Sequence, residues 1–304
     1  GEQVFFSDEP VIIDFSADGT FIVEIEDYYD TTVKSNLIKP EQNDHNYISL
    51  SCLDPGYYEV ATYVMVDSER VATDRTSFAV VENTEFVDNK DTSMFGINTH
   101  ISAEFHRNTP ELLADEVYKL GVKNVRDNYS WAKVSKEENV IDIPKTFITE
   151  LGRLGIGAMM LGGFNNSIYE TEEEATPTTT TSINAFADYC KAVVDAFAEN
   201  GNPLTEFEVW NEYWSWDESE NSAQNYANLF NAVYNKLNPD YPNLKMAIGF
   251  NNTADGYNGW NDTVLKQANV KDNLGLVHSI CRRFSGRGID YDDLYQAGWV
   301  GLIK

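Results

Sequence analysis

From residue 93 to residue 270 short apolar runs alternate with stretches of helical period, each run followed by its helix. Ser93–Asn98, Val122–Arg126, Ile156–Leu161, Phe207–Trp210 and Lys245–Phe250 read as strands. The runs are too short for helices and are bounded by polar or Gly-containing segments. Thr109-Pro110-Glu111 starts the first helix, with Thr as N-cap and Pro in the first turn, and Gly121 ends it. Pro144 precedes a short helix over Thr146–Leu154. In Ile183–Glu199 the residues Phe186, Tyr189, Cys190, Val193, Val194 and Phe197 recur at threes and fours. Ser222–Leu237 repeats the pattern through Tyr226, Leu229, Phe230, Val233 and Leu237, and Gly259–Ala268 supplies a fifth helix. Strand followed by helix at short intervals dictates a parallel sheet with right-handed crossovers. A closed (β/α)8 barrel has eight such units. The expectation for residues 92–270 is therefore an incomplete (β/α)8 TIM-type barrel. The polar connection from Gly162 to Thr181 is expected to be a rim loop or an inserted one.

Residues 1–88 follow a different pattern. Val11–Phe15, Phe21–Ile25, Tyr47–Leu50, Tyr57–Val66 and Thr76–Val81 are short and rich in Val, Ile, Tyr and Phe, with turn signals at Asp18-Gly19 and Pro55-Gly56. Tyr58, Val60, Thr62, Val64 and Val66 fall on one side of their strand. Two such faces pack as a β-sandwich, so an Ig-like accessory domain is expected. It serves either as a recognition module or as a structural companion. Glu82–Asp91 is polar and reads as a linker.

The charge excludes some partners. Forty-nine acidic residues stand against 22 basic ones, a net charge of -27. Such a surface repels nucleic acid and anionic membrane, so no direct nucleic-acid binding is expected. No run approaches the roughly 18 apolar residues of a membrane span. Cys52, Cys190 and Cys281 lack metal or disulfide spacing, and His45, His100, His106 and His278 form no paired motif. Neither a metal nor a cofactor is called for.

Candidate chemistry gathers at the strand ends. Asn98 and His100, Arg126 and Asp127, Asn165, Asn211 and Glu212, and Asn251 all follow apolar runs. In a parallel barrel the loops at those ends build the site. The stretch EFEVWNEYWSW, Glu206–Trp216, places an amide, a carboxylate and several aromatics together. Glycoside hydrolysis uses such a set. One carboxylic acid protonates the leaving oxygen, and in a retaining enzyme a second carboxylate about 5–5.5 Å away attacks. Glu212 suits the acid/base role. Asn211 suits a contact to the sugar 2-hydroxyl. Trp131, Tyr213, Trp214 and Trp216 suit stacking on sugar faces, and Arg126 suits holding a nucleophile ionised.

The VWNEYW run resembles the fourth-strand motif of the large glycoside hydrolase superfamily built on (β/α)8 barrels, and FGINTH and GVKNVRDNYSW look like its first two strands. The likeness spans about residues 92–268 and is nearest to the β-xylosidase-like group, some of whose members carry β-sandwich companions. It implies action on, or binding of, a plant-type oligo- or polysaccharide, with Glu212 as acid/base, Asn211 at the 2-hydroxyl, Arg126 beside the nucleophile and His100 in a first-strand subsite. The resemblance places the nucleophile, a Glu, on the seventh strand. After Phe250 the acidic residues are Asp255, Asp262, Asp272, Asp290, Asp292 and Asp293, none in that context. A truncated glycosidase without turnover is the expectation, with a non-catalytic carbohydrate-binding protein as the alternative. Open sheet edges would favour oligomers or aggregates.

Residues 271–304 break the acidic bias: Lys271, Arg282, Arg283, Arg287 and Lys304 outnumber Asp272, Asp290, Asp292 and Asp293. Leu274, Val277, Ile280, Cys281 and Phe284 form one helical stripe, Gly286-Arg287-Gly288 breaks it, and Asp290 caps a second, so a short C-terminal helical hairpin is expected. NLGLVHSICRRF, GRG and DDLYQAGWVGLIK closely resemble the start of region 2 of bacterial sigma factors, the sporulation-type group in particular. That implies RNA polymerase as partner, through Asp292, Asp293, Leu294 and Gln296, and a role in transcription initiation. The resemblances imply different compartments, extracellular or cell surface for the hydrolase-like part and cytoplasmic for the sigma-like part. A chimera of two coding sequences, a recombined gene, a deliberate fusion and a sigma-linked polysaccharide sensor all fit a junction near residue 270.

Overall fold

The computed structural model describes residues 3–15, 20–38, 46–67, 69–83, 96–102, 109–169, 176–249, 251 and 259–268. The helical hairpin expected over 271–304, with Asp292, Asp293, Leu294 and Gln296, lies outside them. The chain is a multi-domain protein with a sheet unit and an α/β unit. The first unit comprises Gly1–Asp88 with Leu112–Val122, and the second Asn89–Glu111 with Lys123–Lys304.

In the first unit, β1 (Val4–Phe6), β3 (Phe21–Asp27), β4 (Thr32–Ile38), β6 (Gly56–Val66) and β7 (Glu69–Val81) form one sheet in the order β1-β7-β6-β3-β4. β2 (Val11–Phe15) and β5 (Asn46–Leu50) form a separate antiparallel pair. Val11, Phe15, Ile48 and Leu50 from the pair join Val23, Ile25, Tyr58, Val60, Phe78 and Val80 from the larger sheet in one core. Two sheets thus face each other across shared apolar side chains, each large one worth roughly 1.5–3 kcal/mol of burial. The alternation expected through Val66 lapses before its end. The β6–β7 register shifts between Thr62 and Tyr63, and Val66 is exposed. The extra, unpaired residue is Thr73 of β7, and Val64 beyond the shift still packs against the core.

Helix α1 (Pro110–Lys119) carries a finding that its sequence position does not foretell. Its residues from Leu112 onward pack within the first unit. Lys119 Nζ lies 2.6 Å from Glu9 Oε2, Tyr118 meets the Phe6 ring edge-on, and the Gln3 N–H donates to Glu116.

The second unit is built on five parallel strands: β8 (Gly96–Asn98), β9 (Asn124–Asp127), β10 (Gly157–Gly162), β11 (Glu206–Val209) and β12 (Lys245–Ile248). They lie side by side in chain order, each bonded to the next. The helices are α2 (Trp131–Val134), α3 (Thr146–Arg153), α4 (Thr180–Glu199), α5 (Tyr213–Trp216), α6 (Ser222–Leu237) and α7 (Asn261–Gln267). Thr179 caps α4: its hydroxyl accepts from the Ser182 N–H while Ser182 accepts from the Thr179 N–H. Alternate strand residues face the helices and are buried: Val125, Ala158, Met160, Phe207, Val209, Met246 and Ile248. The intervening residues, among them Arg126, Met159, Glu206, Glu208 and Lys245, are half-buried on the opposite face. Polar groups therefore collect on one face of the sheet, Glu206 and Lys245 at the starts of β11 and β12, Arg126 and Glu208 nearer the ends of β9 and β11. No helix among the described residues is long and apolar enough to cross a membrane.

Candidate functional site

Arg126, on β9, reaches across β10 to Glu208 on β11. Its Nε lies 2.6 Å from Oε2 and its Nη2 2.9 Å from Oε1, a forked ion pair. The same Nη2 donates to Asn211 Oδ1 at 2.9 Å. Burial works against the guanidinium charge, but the hydrogen bond and charge of Glu208, with Glu212 adding to them, hold its pKa above the ordinary arginine value. A guanidinium only donates, so the amide oxygen of Asn211 must face it. The Asn211 NH2 is left as the group presented away from Arg126. It is a hydrogen-bond donor fixed in direction.

The backbone that follows β11 is unusual. Trp210 and Glu212 both occupy the left-handed region, with φ of 60° and 51°. Such a conformation costs a side-chain-bearing residue on the order of 1–3 kcal/mol and persists where the surroundings over-determine it. Here they do. The Trp210 ring is fully buried between Phe164, Phe186, Tyr213 and Trp216. The Trp210 backbone N–H donates to the Gly162 carbonyl at 2.8 Å. The Glu212 carbonyl accepts from the Ser215 N–H and from the Ser215 hydroxyl, both at 2.8 Å. Behind the turn, the buried Tyr226 hydroxyl donates to the Val209 carbonyl and accepts from the Gly249 N–H, each at 2.7 Å. That hydroxyl joins the ends of β11 and β12. The result is an exposed Glu212 carboxylate on a fixed turn, beside an amide whose donor is aimed.

The other strand-end residues differ in what they do. Asp127 is buried and structural. Its carboxylate accepts from the Thr99 hydroxyl, the Ile101 N–H, the Ser102 hydroxyl and the Asn128 N–H, and so shapes the loop after β8. His100 stands exposed on that loop. Asn251 is buried, its backbone tied to the Asn261 side chain on both sides. Two expected sugar platforms are core residues instead. Trp131 is fully buried, its faces taken by Tyr169 and Tyr189, and Tyr213 is 1 % exposed, packed on Trp210 and Tyr226. Aromatic rings in the first turn after a strand fill the space between sheet and helices before they can serve a ligand. Trp214 and Trp216 remain half-exposed, and Trp216 stacks on Phe164. Arg126, expected to oppose the charge of a nucleophile, pairs with Glu208. Glu208 escaped the sequence reading, although Glu206 and Glu208 alternating with Phe207 and Val209 was the signal for it. No group of three or more metal-type side chains comes together among the described residues.

A search of solved structures places this architecture. A family 39 glycoside hydrolase from the gut symbiont Bacteroides cellulosilyticus WH2 matches with a TM-score of 0.62 and 20 % identity, over 89 % of this chain and 54 % of that one. The chain thus spans about half the length of that structure, and the likeness at this identity is one of fold. The C-terminal end matches a different family: the model of sigma-70 region 2 covers residues 270–304. Over 43 residues the chain is 46 % identical to the RNA polymerase sigma-G factor of Clostridium acetobutylicum, 14 % of this chain and 17 % of that protein. A glycoside hydrolase-like fold and a sigma region 2-like segment therefore meet in one polypeptide.

Proposed function

We propose that residues 92–268 form the first five units of a (β/α)8 barrel and recognise a plant-type saccharide through Asn211 and Glu212. The strand order supports the barrel reading. Five parallel strands adjacent in chain order wind in one direction, as a barrel does, whereas a doubly wound sheet reverses. The observation that carries the site is the fixed set Arg126–Glu208–Asn211 beside the left-handed Glu212. Asn211 donates to a sugar hydroxyl, the 2-hydroxyl in the retaining scheme, and Glu212 stands as the carboxylic acid at the glycosidic oxygen. Glu208 is engaged by Arg126 and cannot serve as the second carboxylate without breaking the forked pair. On this proposal the chain binds saccharide without hydrolysing it. Incubation with xylan, cellulose or a nitrophenyl glycoside should release no product. Turnover that is lost in Glu212→Gln would overturn the binding-only reading and establish a working glycosidase.

A second reading rests on the family match at residues 270–304. The sigma-like segment would engage core RNA polymerase through Asp292, Asp293, Leu294 and Gln296, in the cytoplasm. A saccharide-binding unit of the hydrolase type belongs instead outside the cell or on its surface. Capture of core polymerase by the chain, weakened by charge reversal at Asp292 and Asp293, is the expected result. Capture that ignores those reversals would remove the reading.

A further inference from the structure

Beside the turn that carries Glu212 lies a cleft of about 750 Å3. It opens between the α5–α6 connection and the start of α7, so it sits at the C-terminal ends of the adjacent strands β11 and β12. Its volume falls within the roughly 300–1,000 Å3 typical of small-molecule sites. Trp214 stands on one wall, with Trp260 on another. The walls are held in place. The Trp260 indole N–H donates to the Ser222 hydroxyl at 3.1 Å, and its ring stacks on Tyr226 at 5.6 Å between centroids. Asp217 fixes the connection by accepting from the Ser219 N–H at 3.0 Å and from the Asn225 amide at 2.9 Å.

We infer that this cleft is an accessory saccharide subsite, specific for neutral sugars and closed to uronates. The inference rests on the saccharide-binding reading above and extends it to a second set of residues. Three features carry it. First, the lining is mainly hydroxyl, amide and carboxylate with indole rings among them. Polyols need many hydrogen bonds and an aromatic face, whereas apolar ligands need neither the amides nor the carboxylates. Second, Asp217, Glu218 and Glu220 line the cleft and no Lys, Arg or His does, among the described residues. A carboxylated sugar would bring a negative charge to a site with no cation to pair it, in a chain of net charge -27; unpaired like charges at short range are a direct penalty on binding. Third, Trp214 lies two residues after Glu212, on the helix that the Glu212 turn begins. A chain of sugar units running out from Glu212 would meet this cleft next.

The test is calorimetric titration of the full chain with two probes, xylohexaose and hexagalacturonate. The wild-type protein should bind xylohexaose and not hexagalacturonate. Trp214→Ala should weaken xylohexaose binding about tenfold, the scale of one lost aromatic anchor. The double charge reversal Glu218→Lys with Glu220→Lys, on exposed residues whose replacement spares the core, should give measurable hexagalacturonate binding while xylohexaose is still bound. Equal binding of both probes by the wild type, or no gain by the reversed variant, would overturn the subsite. The reading at Asn211 is scored separately. Xylohexaose binding lost on Asn211→Ala but unmoved by Trp214→Ala keeps the first site and removes the cleft. The opposite pattern keeps the cleft and removes the first site, and no xylohexaose binding at all removes both.

Discussion

Arg126 illustrates how much one side chain organises here. It ties three positions of two strands and a turn, through Glu208 and Asn211. Breaking a buried ion pair by removing one partner costs roughly 3–5 kcal/mol. The Arg126 and Glu208 side chains keep 27 % and 14 % exposure, so solvent screens part of the pair. Arg126→Met should then lower stability by about 2 kcal/mol, read as a shift of the urea midpoint. Combining it with Glu208→Met should recover part of the loss, because the partner charge is no longer stranded. A double variant as unstable as the sum of the two single ones would mean that the pair is not coupled. The sequence singles out the Asn211–Glu212 pair by its place after an apolar run. Its partner Glu208 was not singled out, because a carboxylate within a strand reads first as a solvated face. Only the sheet shows that Arg126 and Glu208 share that face.

At the scale of elements, most boundaries were legible. Ser222–Leu237 was expected as a helix and is one, because its apolar residues recur without interruption. β1 and β4 were not anticipated. β1 has three residues, and β4 carries Lys34, Ser35 and Asn36 at its centre, so neither announces itself by composition. Helix α1 was expected with the strands that follow it, whereas its Lys119 and Tyr118 reach residues over a hundred positions earlier, a contact that no local pattern contains. The Tyr226 clamp between β11 and β12 belongs to the same class. Tyr226 reads in sequence as one more core residue of a helical stripe. Its hydroxyl in fact serves two backbone groups. Tyr226→Phe leaves the Val209 carbonyl and the Gly249 N–H without that partner, and should cost about 1–3 kcal/mol of stability. Saccharide affinity should fall with it, since the Glu212 turn is anchored on those strand ends. A stable Tyr226→Phe protein with unaltered binding would show that the clamp plays no part in positioning the turn.

For the whole molecule, the two units differ in what they bury. Tyr129, Tyr189 and Tyr226 of the second unit have phenols pushed up chiefly by burial, nearby charges adding to the shift. A phenol in an unfolded chain ionises near pH 10. Above that pH the unfolded state binds fewer protons than the folded one, so stability falls as pH rises. What these groups contribute is fully present below about pH 10 and is lost as pH climbs toward the folded values. In the first unit the Tyr58 phenol is pushed up by burial and by the charges of Asp54 and Asp27. Raising the pH past 10 should therefore remove the helical circular dichroism of the second unit before the sheet signal of the first, with tyrosinate absorbance rising in step with the loss. Loss of both signals together, or ionisation of the buried tyrosines with the helices intact, would contradict this ordering.

All of this turns on whether the turn at Asn211–Glu212 receives a sugar. Calorimetric titration of the 304-residue chain with xylohexaose, in parallel with Asn211→Ala, tests it most directly. The account predicts binding by the wild-type chain, weakened about tenfold or more when the aimed amide donor is removed, with no sugar released in either case. No binding by the wild type, or binding that Asn211→Ala leaves unchanged, would contradict it.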